Sequence, residues 1–155
     1  MKRSFLFILP AIVAFVALTA AAIQTAETCD QNALKAKAKA ALDPFKYDSG
    51  KVTRIYYRKK AQVKEIEVPV FVGEKYRFVF NSEAVTRDVT ITVYNKDKDS
   101  KNRKALFTMK ALDGNRVQTF DPDGARMHFF VDYDIPATND SLPPADCLVM
   151  MLGYK

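Results

Sequence analysis

Hydrophobic and polar positions alternate most regularly between Ile66 and Tyr94, in the run IEVPVFVGEKYRFVFNSEAVTRDVTITVY. Ile66, Val68, Val70 and Val72 share one face, then Tyr76, Phe78 and Phe80, then Val89, Ile91 and Val93. Side chains on a strand point alternately to its two faces, so each set can line the same buried layer. The pattern continues on both sides. Strands are predicted over 51–59, 62–72, 75–80, 88–94, 105–110, 116–120, 126–135 and 147–154. Pro69 places the second strand at a sheet edge or a bulge, because proline cannot donate to a ladder. Gly73-Glu74 reads as a two-residue turn closing a hairpin between Val72 and Lys75. In the seventh strand Met127, Phe129, Val131, Tyr133 and Ile135 form one face, against Arg126, His128, Phe130, Asp132 and Asp134 on the other. The eighth is apolar on both faces and belongs inside a sheet. Eight short strands with turn residues between them predict a mainly β protein, an antiparallel two-sheet β-sandwich, and no βαβ signal points to a nucleotide-binding fold.

One helix is predicted, over 28–42. Thr28 and Gln31 have capping-box spacing, Leu34, Ala38, Ala41 and Leu42 make a narrow apolar stripe, and Asp43-Pro44 ends it. Lys35, Lys37 and Lys39 face water, and the helix is expected to lie as a solvated lid over one end of the sandwich. Ahead of it, Lys2-Arg3, the apolar run Phe5–Leu18 and Ala20-Ala21-Ala22 read as a secretory signal peptide over 1–22, leaving 23–155 as a single domain. An uncleaved anchor is the alternative. Glu27 argues against lipid attachment at Cys29.

Export changes the reading of the two cysteines. In an oxidising compartment Cys29 and Cys147 are expected to pair, stapling the helix to the last strand. Free thiols are the other reading, and two Cys with one His lack the spacing of a metal site.

Charge is unevenly spread. The chain carries 24 Lys and Arg against 18 Asp and Glu, and removing Lys2 and Arg3 leaves 22 against 18, a net +4. Residues 30–64 hold ten basic and three acidic side chains, residues 112–155 three basic and seven acidic. The two halves either bind different partners or face each other in the fold. Nucleic acid fits poorly with export, mixed charge and the lack of a binding motif.

No motif for nucleophilic, metal or phosphate-transfer chemistry is present, and the lone His128 sits on a strand beside Arg126 and Phe130. Loops on a rigid scaffold are where binding residues concentrate. The expectation is therefore a non-catalytic binding or interaction module of the cell envelope or extracellular space, periplasmic or secreted. Its binding end would be formed by loops 95–104 and 136–145, with Asn95, Asp97, Asp99, Asn139 and Asp140 as candidate contacts and Asp132 with Asp134 as an acidic cluster. A protein or glycan partner is expected, and membrane contact only through the signal segment. Two alternatives stand beside this: a carrier of a small apolar ligand inside a barrel-like ring of aromatic strands, and an enzyme with a carboxylate site at Asp132 and Asp134.

Two resemblances bear on these alternatives. Val93 to Asn102 resembles the calcium loop of C2 domains, which implies calcium-dependent surface binding. Asn95 stands where that pattern has its first Asp, however, and Lys96, Lys98 and Lys101 would repel the ion. More broadly, Glu74-Lys75-Tyr76-Arg77-Phe78, Val93-Tyr94 and His128-Phe129-Phe130-Val131 resemble the pre-peptidase C-terminal type of bacterial β-sandwich, over about residues 66–135. That resemblance implies an accessory, non-enzymatic module needing no cofactor.

Overall fold

The computed structural model describes residues 29–140 and 145–155. Helix α1 (Gln31–Ala40) precedes strands β1 (Lys46–Ile55), β2 (Gln62–Pro69), β3 (Tyr76–Asn81), β4 (Thr90–Tyr94), β5 (Ala105–Lys110), β6 (Val117–Phe120), β7 (His128–Ile135) and β8 (Asp146–Tyr154). They form two four-stranded antiparallel sheets, ordered β1-β8-β3-β6 and β2-β7-β4-β5. Only β4 and β5 are consecutive strands within one sheet; every other strand-to-strand connection crosses the sandwich. This interleaving is the jelly-roll arrangement.

The crossings correct the hairpin expected at Gly73-Glu74, since β2 and β3 lie in opposite sheets. Gly73 does turn the chain, at φ 104°, but the turn is a corner between layers. Val72 and Met127 leave the buried rows assigned to them and are 62% exposed at that corner. The first strand runs over 46–55 instead of 51–59. Its opening half, Lys46–Lys51, is exposed and without apolar alternation, so hydrophobic patterning does not mark it. Pro69 closes β2, which is an edge strand as expected.

Aromatic rings join the two layers. Phe78 of β3 meets Phe129 of β7 edge-on at 5.3 Å, Phe80 stacks on Phe107 of β5 at 5.9 Å, and Phe107 stacks on Phe120 of β6 at 5.1 Å. Such pairs add about 0.5–1.5 kcal/mol each beyond their burial. With Ile55, Ile91, Val93, Leu148 and Leu152 they fill the interior. The two sheets stay separate, and these side chains occupy the space in which a carrier's ligand would sit.

Strand β8 lies between β1 and β3 and is covered on both faces. Leu148, Met150 and Leu152 point into the sandwich, while Cys147, Val149 and Met151 point out beneath Leu34, Ala38 and Leu42 of the helical segment. The helix thus lies flat on the outer face of the sheet and is not a lid over its end. Its cap is Asp30, whose Oδ1 accepts from the Asn32 and Ala33 amides, both at 3.0 Å; Thr28 of the expected capping box lies outside the described residues. Asn81 Nδ2 donates to Leu34 O at 3.1 Å, and the Cys29–Cys147 disulfide closes the attachment. Gly153 lets the chain leaving the helix pass close over β8: a Cβ there would meet Leu42 Cδ2 at 2.9 Å and Lys46 O at 3.0 Å.

Candidate functional site

The register of β4 against β7 decides the fate of the expected binding end. Thr90 pairs with Asp134 and Tyr94 with Phe130. Loop 95–104 therefore leaves one end of the sandwich and the segment after Ile135 leaves the other. Asn95, Asp97 and Asp99 do not share a surface with Asn139 and Asp140.

Loop 95–104 is closed on itself. Asp97 accepts from the Asp99 amide (2.9 Å) and the Ser100 hydroxyl (2.8 Å), and these bonds, the Ser100 one foremost, hold its carboxyl below the usual carboxylate range. Asn95 Oδ1 accepts from the Lys104 amide at 2.6 Å. Among the described residues no group of three or more His, Cys, Asp or Glu side chains is arranged to hold a metal ion.

The loop is anchored by Arg103, which reaches across the outer face of β7 and β2. Its fork holds both oxygens of Asp132 (2.8 and 2.9 Å) and Glu65 Oε2 (2.7 Å), its Nε donates to Lys96 O (2.9 Å), and Tyr94 lies beneath it at 3.5 Å. Asp132, on the face that alternation assigns to solvent, is buried as a result. Burial and the Asp132 charge push the carboxyls of Glu65 and Asp134 up, and Arg103 opposes this in both. The expected acidic cluster is thus neutralised at one of its members.

At the other end Asp146 is fully buried and accepts from the Tyr57 hydroxyl, the Thr86 amide (2.7 Å) and the Thr86 hydroxyl (2.9 Å). Burial, then the bond to Asp146, pushes the Tyr57 phenol well above its usual range. Arg87 stacks on Tyr57 at 4.9 Å and pairs with Asp140. His128 Nδ1 lies 2.7 Å from Glu67 Oε1 on an exposed strand face. Asp146, Tyr57, Thr86 and Arg87 hold loops in place, while His128 and Glu67 line an open cleft with Asn95, Lys96 and Asp97.

A different surface stands out along the edge where β1 and β2 face each other. Residues 46–64 carry seven basic side chains and one acidic one, Asp48. Among the described residues none of the seven makes an ion pair or a side-chain hydrogen bond. Nor do the acids of the C-terminal half neutralise them: Asp121 pairs with Arg77, Asp132 with Arg103 and Asp140 with Arg87. The basic and acidic segments do lie side by side, β1 paired with β8 and β2 with β7, but their charges are not matched side chain to side chain among the described residues.

Two clefts lie in line along this edge. One, of about 290 Å³, is lined by Arg54, Tyr56, Arg58, Gln62, Val63 and Lys64, with Ile135 behind. The other, of about 410 Å³, lies between Asp48–Lys51 and Ile66–Phe71. Tyr56 is 58% and Val63 59% exposed. The excess of basic residues was visible in the sequence; their collection along one groove was not, because it depends on which strands become edges.

No protein-family model and no curated protein matches the chain. Among solved structures, a crystal structure of PirA is similar, at a TM-score of 0.37 and 13% identity, covering 73% of this chain and 99% of that one. The β-sandwich implied by the pre-peptidase C-terminal resemblance is present, while that family has no matching model.

Proposed function

We propose that the protein is a non-catalytic binding module for an anionic ligand, held in the cleft along the β1–β2 edge. The observation that carries this is the run of unpaired cations lining one groove. Unpaired like charges held close repel one another and raise the energy of the free protein, and an anion relieves that repulsion while gaining charge-assisted hydrogen bonds from Arg54, Arg58 and Lys64. Arginine suits carboxylate, sulfate or phosphate because its planar fork donates two parallel bonds. The disulfide supports an oxidising, extracytoplasmic location. The reading extends this to export through the segment 1–22, which lies outside the described residues, and to action in the envelope or beyond the cell.

The test is binding to an immobilised sulfated matrix and, in solution, to inorganic pyrophosphate. Arg54→Glu/Arg58→Glu/Lys64→Glu is compared with Lys35→Glu/Lys39→Glu/Lys75→Glu, which changes net charge equally on other surfaces. The edge variant is expected to lose affinity by roughly tenfold or more, about 1.4 kcal/mol, and the control far less. Equal losses would mean that only net charge matters and would sink the proposal.

A further inference from the structure

We infer that the anion is the head of a single-chain amphiphile, whose alkyl tail lies in the apolar cleft next to the basic one. The inference rests on the reading above and narrows it. The two clefts are consecutive: β1 contributes Arg54, Tyr56 and Arg58 to one and Asp48–Lys51 to the other, while β2 contributes Gln62–Lys64 and then Ile66–Phe71. Their linings differ in kind. The first carries three cations, Arg54, Arg58 and Lys64, and no acid. The second sets Asp48 and Glu67 against the single cation Lys51, so it draws no second anion. Its floor is Ile66, Val68, Val70 and Met150, and it ends at Phe71, which is 77% exposed. The groove is cationic at one end and apolar at the other.

That polarity matches a ligand with one charged end. An anionic head gains hydrogen bonds from the two guanidinium groups and from Lys64, while Asp48 and Glu67 disfavour the reversed orientation. The tail gains by leaving water against a wall built of core side chains. From Ile66 to Phe71 is five residues, or about 17 Å of strand at roughly 3.3 Å per residue, room for a medium-length alkyl chain laid along it. The volume of the second cleft, about 410 Å³, is in the range of small-molecule sites. It is a gap between two sheet edges, apart from the filled interior. A compact anion alone would leave this apolar wall in water, and a polyanion would meet two carboxylates there. A peptide added as a further strand is resisted at both edges: Pro69 ends β2, and a bulge interrupts β1 between Tyr47 and Ser49.

The test is calorimetric titration of the full chain with butyl, octyl and dodecyl phosphate, each below its micelle concentration, with dodecyltrimethylammonium, and with phosphatidylglycerol vesicles. Affinity is expected to rise about a hundredfold or more from butyl to dodecyl phosphate, since each methylene removed from water favours binding by up to about fourfold. The cationic amphiphile has the same tail and should bind far more weakly, and vesicles should too, because their tails are held in the bilayer. Ser49→Trp, at an exposed position lining the apolar cleft, should block the tail. It is expected to lower dodecyl phosphate affinity by about tenfold or more and to leave butyl phosphate unchanged. Val72→Ser/Met127→Ser, which strips the exposed corner outside that cleft, should change neither. Affinity independent of chain length, a cationic amphiphile binding as tightly as dodecyl phosphate, or vesicle binding without binding of monomeric dodecyl phosphate would overturn the inference. So would a tail effect that survives Ser49→Trp but is lost in Val72→Ser/Met127→Ser. Pyrophosphate distinguishes the two failures: if it still binds at Arg54, Arg58 and Lys64, the broader anion reading survives, and if it does not, both fall.

Discussion

Arg103 shows how one side chain can reverse what a strand pattern says about its neighbours. Alternation along β7 puts Asp132 on the solvent side with Phe130 and Asp134, and that much is correct. Its burial arises because a residue 29 positions away in sequence folds over it with a two-pronged contact. Nothing in the lysine-rich loop marks Arg103 except its being the one arginine there, and only a guanidinium can grip both oxygens of Asp132 while also holding Glu65. Removing one partner of a buried pair leaves the other uncompensated, at a cost of about 3–5 kcal/mol when burial is complete. Arg103→Ala is therefore expected to destabilise the fold by about 3 kcal/mol, and Arg103→Lys by less but measurably, in urea unfolding. Arg103→Ala/Asp132→Asn should recover a large part of the loss. A single variant within 0.5 kcal/mol of the native chain, the range of ordinary surface changes, would show the pair to be an incidental surface contact.

Elements were legible where burial is one-sided or complete. The rows Tyr76-Phe78-Phe80 and Phe129-Val131-Tyr133-Ile135 are buried as alternation requires, and the two-sided apolarity of β8 reflects a strand with the aromatic core below and α1 above. The connectivity was less legible. Gly73 supplies a positive φ whether the chain returns beside its own strand or crosses to the other sheet, so the residue alone cannot separate a hairpin from a jelly-roll corner. The polar half of β1 was hidden because an exposed edge strand buries no face. The helix is held by Leu34 and Ala38, by the Asn81 bond and by the disulfide, which closes a loop of 118 residues. Closing a loop of that length is worth about 4–5 kcal/mol in the chain-entropy model. Cys29→Ser/Cys147→Ser, which leaves two nearly isosteric side chains, should lower unfolding stability by about that amount in denaturant titrations. A loss under 1 kcal/mol would mean that packing alone holds α1 on β8.

At the scale of the whole molecule, the decisive feature is where charge is left unsatisfied. In the acidic C-terminal half Asp121, Asp140, Asp132 and Asp146 are tied up with Arg77, Arg87, Arg103 and Tyr57, which stitch loops to sheets. The basic residues of 46–64 have no such partners among the described residues, and four of them, Lys51, Arg54, Arg58 and Lys64, line clefts that the sandwich leaves open between its two edge strands. The sequence showed the imbalance but located binding at two loops that the fold sends to opposite ends. The most direct test maps the anion site onto the fold by backbone amide chemical shifts as inorganic pyrophosphate is added to the isotopically labelled full chain. The account predicts perturbations concentrated at residues 54–58 and 62–64, saturating with the binding isotherm. Shifts centred on loop 95–104, on the Phe71–Met127 corner or on the lysines of α1 would contradict it.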